Sequence, residues 1–299
     1  MRVILFMCVA LLVSPVFAKE EKRKCKMGRD YWLYTPDTID KNKTYWLVVG
    51  VHGHRGKGAG AAGLAKWIKK YDNIIVVGPT FPSTNPYYQI LGGNSDKQLL
   101  DIQKNLSKEF KLHEKMFIYG FSGGSQFAHR FTEKHYKKVI GVSSHSGGTW
   151  NKGPSRSSAS VVWTLSCGLK DTAHSAGAPL TRIEYFRNFY KAMNKGKFTA
   201  KPFVTNAGHS ATSEVRSNTE ECFRVATTGM FDYQREATKG MSVLDRENFI
   251  RKDFKLTEKE FNDGKNTYKL KVNKDGWTVS STTLKAMSDT RKMLDRLKK

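Results

Sequence analysis

The chain has 299 residues, 39% of them hydrophobic, and a formal net charge of +24 at pH 7. That apolar content is ordinary for a globular protein, and the chain carries neither an internal repeat nor a low-complexity segment. So basic a chain suits anionic surfaces, acidic polymers or a cell envelope. Nucleic acid is not expected as a partner, because no nucleic-acid motif or interleaving of basic and aromatic residues is present.

The start of the chain reads as a targeting segment. Arg2 precedes an apolar run from Val3 to Val13, and Ser14-Pro15-Val16-Phe17-Ala18 follows. A positive start, a short apolar core and small residues make a secretory signal peptide over residues 1–18, with cleavage after Ala18. The run is too short for a comfortable membrane span, and no later segment is apolar enough to cross a bilayer. The mature chain is therefore expected to be secreted or periplasmic. It keeps Cys25, Cys167 and Cys222, whose spacing fits no zinc pattern. Export permits one disulfide and leaves one cysteine over, and which pair forms, if any, is open.

Residues 19–30 are charged and read as frayed. Tyr31 to Tyr34 predicts an edge strand ending before Pro36. Continuous apolar, β-branched runs follow at Tyr45–Val51, Asn73–Val77, Met116–Phe121, Val139–Val142, Val161–Leu165 and Pro202–Thr205. Runs of this kind mark strands buried on both faces, as in a parallel sheet. Helical patterns lie between them, at Ala61–Tyr71, Lys97–Phe110, Gln126–His135, Leu180–Met193 and Ser213–Thr228. Strand and helix alternate from 45 to 228, which predicts an α/β fold with a mostly parallel central sheet and helices on both faces.

Such sheets place active sites beyond the carboxyl ends of their strands. After Val51 comes His52-Gly53-His54-Arg55-Gly56. After Tyr119 comes Gly120-Phe121-Ser122-Gly123-Gly124. After Leu165 comes Cys167-Gly168-Leu169-Lys170-Asp171, and after Thr205 comes Asn206-Ala207-Gly208-His209. The Gly-x-Ser-x-Gly pattern alone is weak, since chance supplies it in about one chain of this length in ten. Its position between an apolar run and a helical pattern makes it a nucleophile elbow, where small neighbours let strand and helix pass closely.

A serine hydroxyl needs a base within hydrogen-bond reach, and that base needs an orienting carboxylate. Ser122, Asp171 and His209 supply these types at three strand ends, in that order. His174, just past Asp171, is the nearest rival to His209, while His129 and His135 lie on the helix after the elbow and read as packing or surface residues. An oxyanion needs backbone N–H donors. Gly123 supplies one at a helix N-terminus, and the loop after Val51 supplies the second at His54.

With these parts in place the chain resembles the α/β-hydrolase superfamily. Within it, the chain is similar to secreted, lid-free esterases related to polyhydroxybutyrate depolymerases and to feruloyl or acetyl-xylan esterases. His52-Gly53, Gly120 to Gly124, Gly168 to Asp171 and Gly208-His209-Ser210 carry the likeness, which covers roughly residues 30–230. The resemblance implies hydrolysis of carboxylic esters through an acyl-enzyme, with neither cofactor nor metal. The alternatives are a serine peptidase of the same fold, or a non-catalytic envelope- or polysaccharide-binding protein on a hydrolase scaffold.

The connection from Ser143 to Ser158 is too short for a helical lid, so an open cleft is expected, suited to bulky or polymer-linked esters. Arg55, Tyr87, Tyr88 and Trp150 lie in loops on that side and are candidate substrate contacts. The catalytic domain is expected to span 19–230. Residues 231–299 read as an extension packed on it. In that extension Leu244–Phe254 and Leu256–Phe261 look helical, a β-hairpin joins Tyr268–Val272 to Trp277–Ser280, and a last helix carries Leu284, Met287, Leu294 and Leu297 on one face.

Overall fold

The computed structural model describes residues 18–227, apart from 85, 86, 152, 176, 197 and 199, together with backbone strands at 259–262, 267–273 and 276–281. Residues 1–17 of the signal peptide expected over 1–18, and the helices expected at 244–254 and 284–297, lie outside the described residues.

Eight strands form one sheet: β1 (Ala18–Lys24), β2 (Asp30–Pro36), β3 (Tyr45–Val51), β4 (Ile74–Pro79), β5 (Leu112–Phe121), β6 (Val139–His145), β7 (Val162–Gly168) and β8 (Ala200–Thr205). Their order is β1-β2-β4-β3-β5-β6-β7-β8. The six strands from β4 to β8 pair in parallel, and β1 and β2 add an antiparallel edge. The fold is thus the mostly parallel α/β sheet that the alternating apolar runs imply.

The two-residue period of a strand divides the core. Leu47, Val49 and Val51 of β3 share one cluster with Ile75, Val77, Met116 and Ile118. Val48 shares the other with Ile74, Val76 and Phe117. The first face is covered by α2 (Ser95–Glu109), α3 (Gly123–Lys134) and α4 (Arg182–Lys195), through Leu99, Ile102, Phe127, Phe131, Phe186 and Phe189. The second is covered by α1 (Ala62–Ala65), flanked by 3-10 turns, and α5 (Ser213–Thr227), through Leu64, Trp67, Cys222 and Phe223. Close approach there depends on Gly50, where a Cβ would lie 2.8 Å from the Cβ of Ala61.

Two expectations are corrected. Residues 19–24 are not frayed. They form β1, pairing Lys19 with Thr35 through Lys24 with Asp30, so β2 is an interior strand and the charged β1 is the edge, where lysines discourage further pairing. Lys259–Asn262 is a strand, β9, and not part of a helix. It pairs with β10 (Thr267–Asn273), which pairs in turn with β11 (Gly276–Ser281) as the expected hairpin. On the open question of cysteine pairing, among the described residues no disulfide forms, and Cys25, Cys167 and Cys222 are buried thiols. No helix among the described residues is long and apolar enough to cross a membrane.

Candidate active site

The carboxyl ends of β3, β5, β7 and β8 bring the candidate residues together. Ser122 sits between β5 and α3 with φ +55° and ψ −118°, backbone that L-residues rarely adopt and that elbows store as strain. Two glycines make the turn possible. A Cβ at Gly120 would overlap the backbone of Gly124, and one at Gly124 would overlap the Val51 carbonyl. The hydroxyl of Ser122 does not cap α3, and its Oγ lies 2.9 Å from His209 Nε2.

His209 Nδ1 lies 2.8 Å from Asp171 Oδ2. A carboxylate accepts, so Nδ1 carries the proton and Nε2 is free to accept from Ser122. The Asp171 side chain is buried, whereas a third of the His209 side chain remains exposed. Two further groups face the carboxylate: the Arg182 guanidinium and the Cys167 thiol, whose Sγ lies 4.0 Å from Oδ2. Arg182 Nη1 donates to Asp171 Oδ1 at 3.3 Å and to the Ala173 carbonyl at 3.1 Å. The loops are laced by Leu169 N to Thr205 O and Lys170 N to Ala207 O. Gly168 permits this lacing, because a Cβ there would overlap the carbonyls of Ala207 and Gly208.

The loop after β3 forms the opposite wall. A Cβ on Gly123 would meet the His54 amide nitrogen at 3.0 Å and the Tyr88 hydroxyl at 2.8 Å, so both crowd the start of α3. The first N–H groups of a helix have no partner within it, which leaves Gly123 N–H, beside that of His54, available to an anion. His52 staples this loop. Its Nδ1 donates to Gly53 O at 2.7 Å and its Nε2 accepts from Phe81 N at 3.0 Å. Burial holds its pKa below the usual value, which suits this neutral form.

The remaining candidates separate. Tyr87 is exposed and meets the His54 ring edge-on. Arg55 is exposed in a turn at φ +59°, its amide bonded to Ser83 Oγ. Tyr88 and Trp150 offer no open face for stacking. Tyr88 is fully buried, donates to His52 O at 2.8 Å and packs on Phe81, so it braces the His54 loop. Trp150 is buried against His129 and Phe189. The rival His174 bonds Ala178 O and is exposed.

His145, at the end of β6, is a further residue of the site. Its Nε2 donates to Ser210 O at 2.8 Å and its Nδ1 accepts from Ser166 Oγ at 2.9 Å. Its ring stacks on Phe121, which in turn packs on His209. Burial pushes its pKa down to about 4, so it is neutral at pH 7. Neither His145 nor Arg182 stands out in the sequence. The available signal is a histidine ending the strand after the elbow and an arginine opening the helix after Asp171.

Comparison with known structures shows the fold. The chain superimposes on poly(aspartic acid) hydrolase-1 from Sphingomonas sp. KT-1 with a TM-score of 0.57 at 18% identity, covering 69% of this chain and 98% of that one. A ferulic acid esterase from Anaeromyces mucronatus gives 0.55 at 16%, covering 73% and 92%. A poly(3-hydroxybutyrate) depolymerase from Bordetella parapertussis gives 0.53 at 15%, covering 78% and 95%. The fold is the α/β-hydrolase fold. No protein-family model and no curated sequence matches the chain. In an α/β-hydrolase fold the crest of the sheet is where reactive side chains gather. Here, among its described residues, the β6–β7 connection over that crest holds only a short 3-10 turn, Arg156–Ser160. Among the described residues, no group of His, Cys, Asp and Glu is arranged to hold a metal ion.

Proposed function

We propose that this chain is a serine hydrolase that cleaves carboxylic esters through an acyl-enzyme. The observation that carries the reading is the hydrogen-bonded line from Ser122 Oγ through His209 to Asp171, at 2.9 and 2.8 Å.

In this reading Ser122 Oγ attacks the ester carbonyl as His209 Nε2 takes its proton. Asp171 stabilises the imidazolium and remains ionised. The carbonyl oxygen gains negative charge and accepts from the N–H groups of Gly123 and His54, and one such donor is worth about 3 kcal/mol in the transition state. His209 then protonates the departing alcohol. Water repeats the sequence in reverse, releasing the acid and regenerating Ser122. Arg182 fixes the second carboxylate oxygen of Asp171, so the carboxylate cannot rotate away from His209.

We further propose export by a signal peptide over residues 1–18, a catalytic domain over 19–230 and an extension over 231–299. The shortness of the β6–β7 connection, from His145 to Val162, and the charge of +24 support bulky, polymer-linked or anionic esters as substrates. The test is hydrolysis of para-nitrophenyl acetate by wild type and Ser122→Ala. Loss of turnover in a folded Ser122→Ala supports the reading, and undiminished turnover overturns it.

A further inference from the structure

A cavity of about 440 Å³ opens beside the elbow, on the face of the sheet covered by α1 and α5. That volume is within the range of small-molecule sites. Three of its lining residues adjoin the reactive groups: Phe121 precedes Ser122, Ala211 follows His209 by two residues, and Gly53 borders the elbow. A Cβ on Gly53 would stand 3.6 Å from that of Ser122, so glycine here leaves the approach narrow but unblocked. The interior is apolar, with Leu64 and Trp67 as buried walls. Gly60 and Gly63 also line it, and a Cβ on either would find nothing within 4 Å.

Two cations line the cavity as well. Lys57 and Arg216 are exposed lining residues. Arg216 lies close enough to the Tyr119 phenol to act on it electrostatically, and among the described residues neither cation pairs with a carboxylate. The cavity therefore offers an occupant apolar walls together with two positive charges.

We propose that this cavity is an acyl subsite for an apolar chain ending in a carboxylate, as in the half-ester of a dicarboxylic acid. The inference rests on the ester-hydrolase reading and names its substrate class. The apolar chain gains burial against Leu64 and Trp67, and Lys57 and Arg216 meet its charged end.

The test compares para-nitrophenyl acetate, para-nitrophenyl hexanoate and the mono-para-nitrophenyl ester of adipic acid. Adipate is expected to exceed hexanoate in kcat/KM by about five-fold at low salt, an advantage that salt and the double variant Lys57→Gln, Arg216→Gln remove. Gly63→Phe adds a bulky side chain to the cavity lining at a position where a Cβ meets no neighbour, and is expected to lower the ratio of adipate to acetate kcat/KM by about ten-fold or more. Gly60→Phe repeats that measurement from a second position. Turnover that depends on Ser122 but shows neither the adipate preference nor a response to Gly63→Phe overturns the subsite and leaves the hydrolase reading intact. If Ser122 proves inert, binding decides. The intact chain should take up one equivalent of anilinonaphthalene sulfonate, an apolar anion, and lose it in Gly63→Phe. Uptake unchanged by that substitution overturns the subsite.

Discussion

His145 donates from Nε2 to the Ser210 carbonyl at 2.8 Å, one residue beyond His209. The ring is buried, its other nitrogen accepts from Ser166, and Phe121 lies between it and the His209 ring. It therefore ties the end of β6 to the loop that presents the candidate base. Its role is to position that loop, since its own ring touches neither Ser122 nor the carbonyl that Ser122 would attack.

His145→Ala is expected to lower kcat for para-nitrophenyl acetate by about 10- to 100-fold, the range that a misplaced catalytic group produces. KM should change little. His145→Gln, which can still donate to Ser210, should recover most of kcat. An equal loss of kcat in both variants, with the thermal midpoint lowered in each, would instead indicate general unfolding.

The same residue gives a pH signature. Its pKa in the folded chain is about 4, below the ordinary 6.5. A depressed histidine contributes stability that is complete above about pH 6.5 and lost as pH falls toward 4, because the unfolded chain then binds the proton more readily. The thermal midpoint of wild type should fall across that window more steeply than that of His145→Gln.

Glu133 has the opposite sign. Burial raises its pKa from 4.5 to about 7, and although Oε2 accepts from Asn151 at 2.7 Å, Oε1 is buried without a partner. The folded chain holds a proton there that the unfolded chain has released. The protonated group's contribution is present below about pH 4.5 and lost as pH rises through 7. Glu133→Gln should raise the thermal midpoint at pH 8 and change it little at pH 4.

The elbow glycines predict a steric result. Gly124→Ala drives a methyl group into the Val51 carbonyl, and Gly120→Ala drives one into the backbone of Gly124. Neither obstacle is the end of a flexible side chain, so relief requires strand and helix to separate. A loss of about 3 kcal/mol in urea denaturation is expected for each.

These glycines were legible in the sequence for the same physical reason. A strand, a sharp turn and a helix that pass at backbone contact admit only glycine, so Gly120 and Gly124 announce the geometry. The parallel strands were legible because burial on both faces leaves continuous runs such as Ile74 to Val77. β1 was not, because Lys19-Glu20-Glu21-Lys22-Arg23-Lys24 buries little and is held by backbone pairing to β2, which leaves no hydrophobic period. His145 escaped because Ser143-Ser144-His145-Ser146 reads as a polar loop. In the fold that stretch continues the strand, and its hydroxyls and ring are satisfied by Thr219, Ser125 and Ser166. Tyr88 and Trp150 were placed on the correct loops, but their rings turn inward, which loop position alone does not reveal.

Asp171→Asn tests the orientation of His209. The amide can present its N–H to Nδ1 and so favour the tautomer in which Nε2 carries the proton and cannot accept from Ser122. A drop in kcat of about 10⁴ is expected, with the fold retained. Arg182→Gln, which frees only the outer carboxylate oxygen, should cost less.

The most direct measurement is reaction of the intact chain with a fluorophosphonate, followed by mass spectrometry of its peptides. The account predicts one equivalent of label on Ser122, slowed sharply in His209→Ala and absent in Ser122→Ala. A folded chain that refuses the label, or carries it on another serine at equal rate in all three proteins, would contradict it.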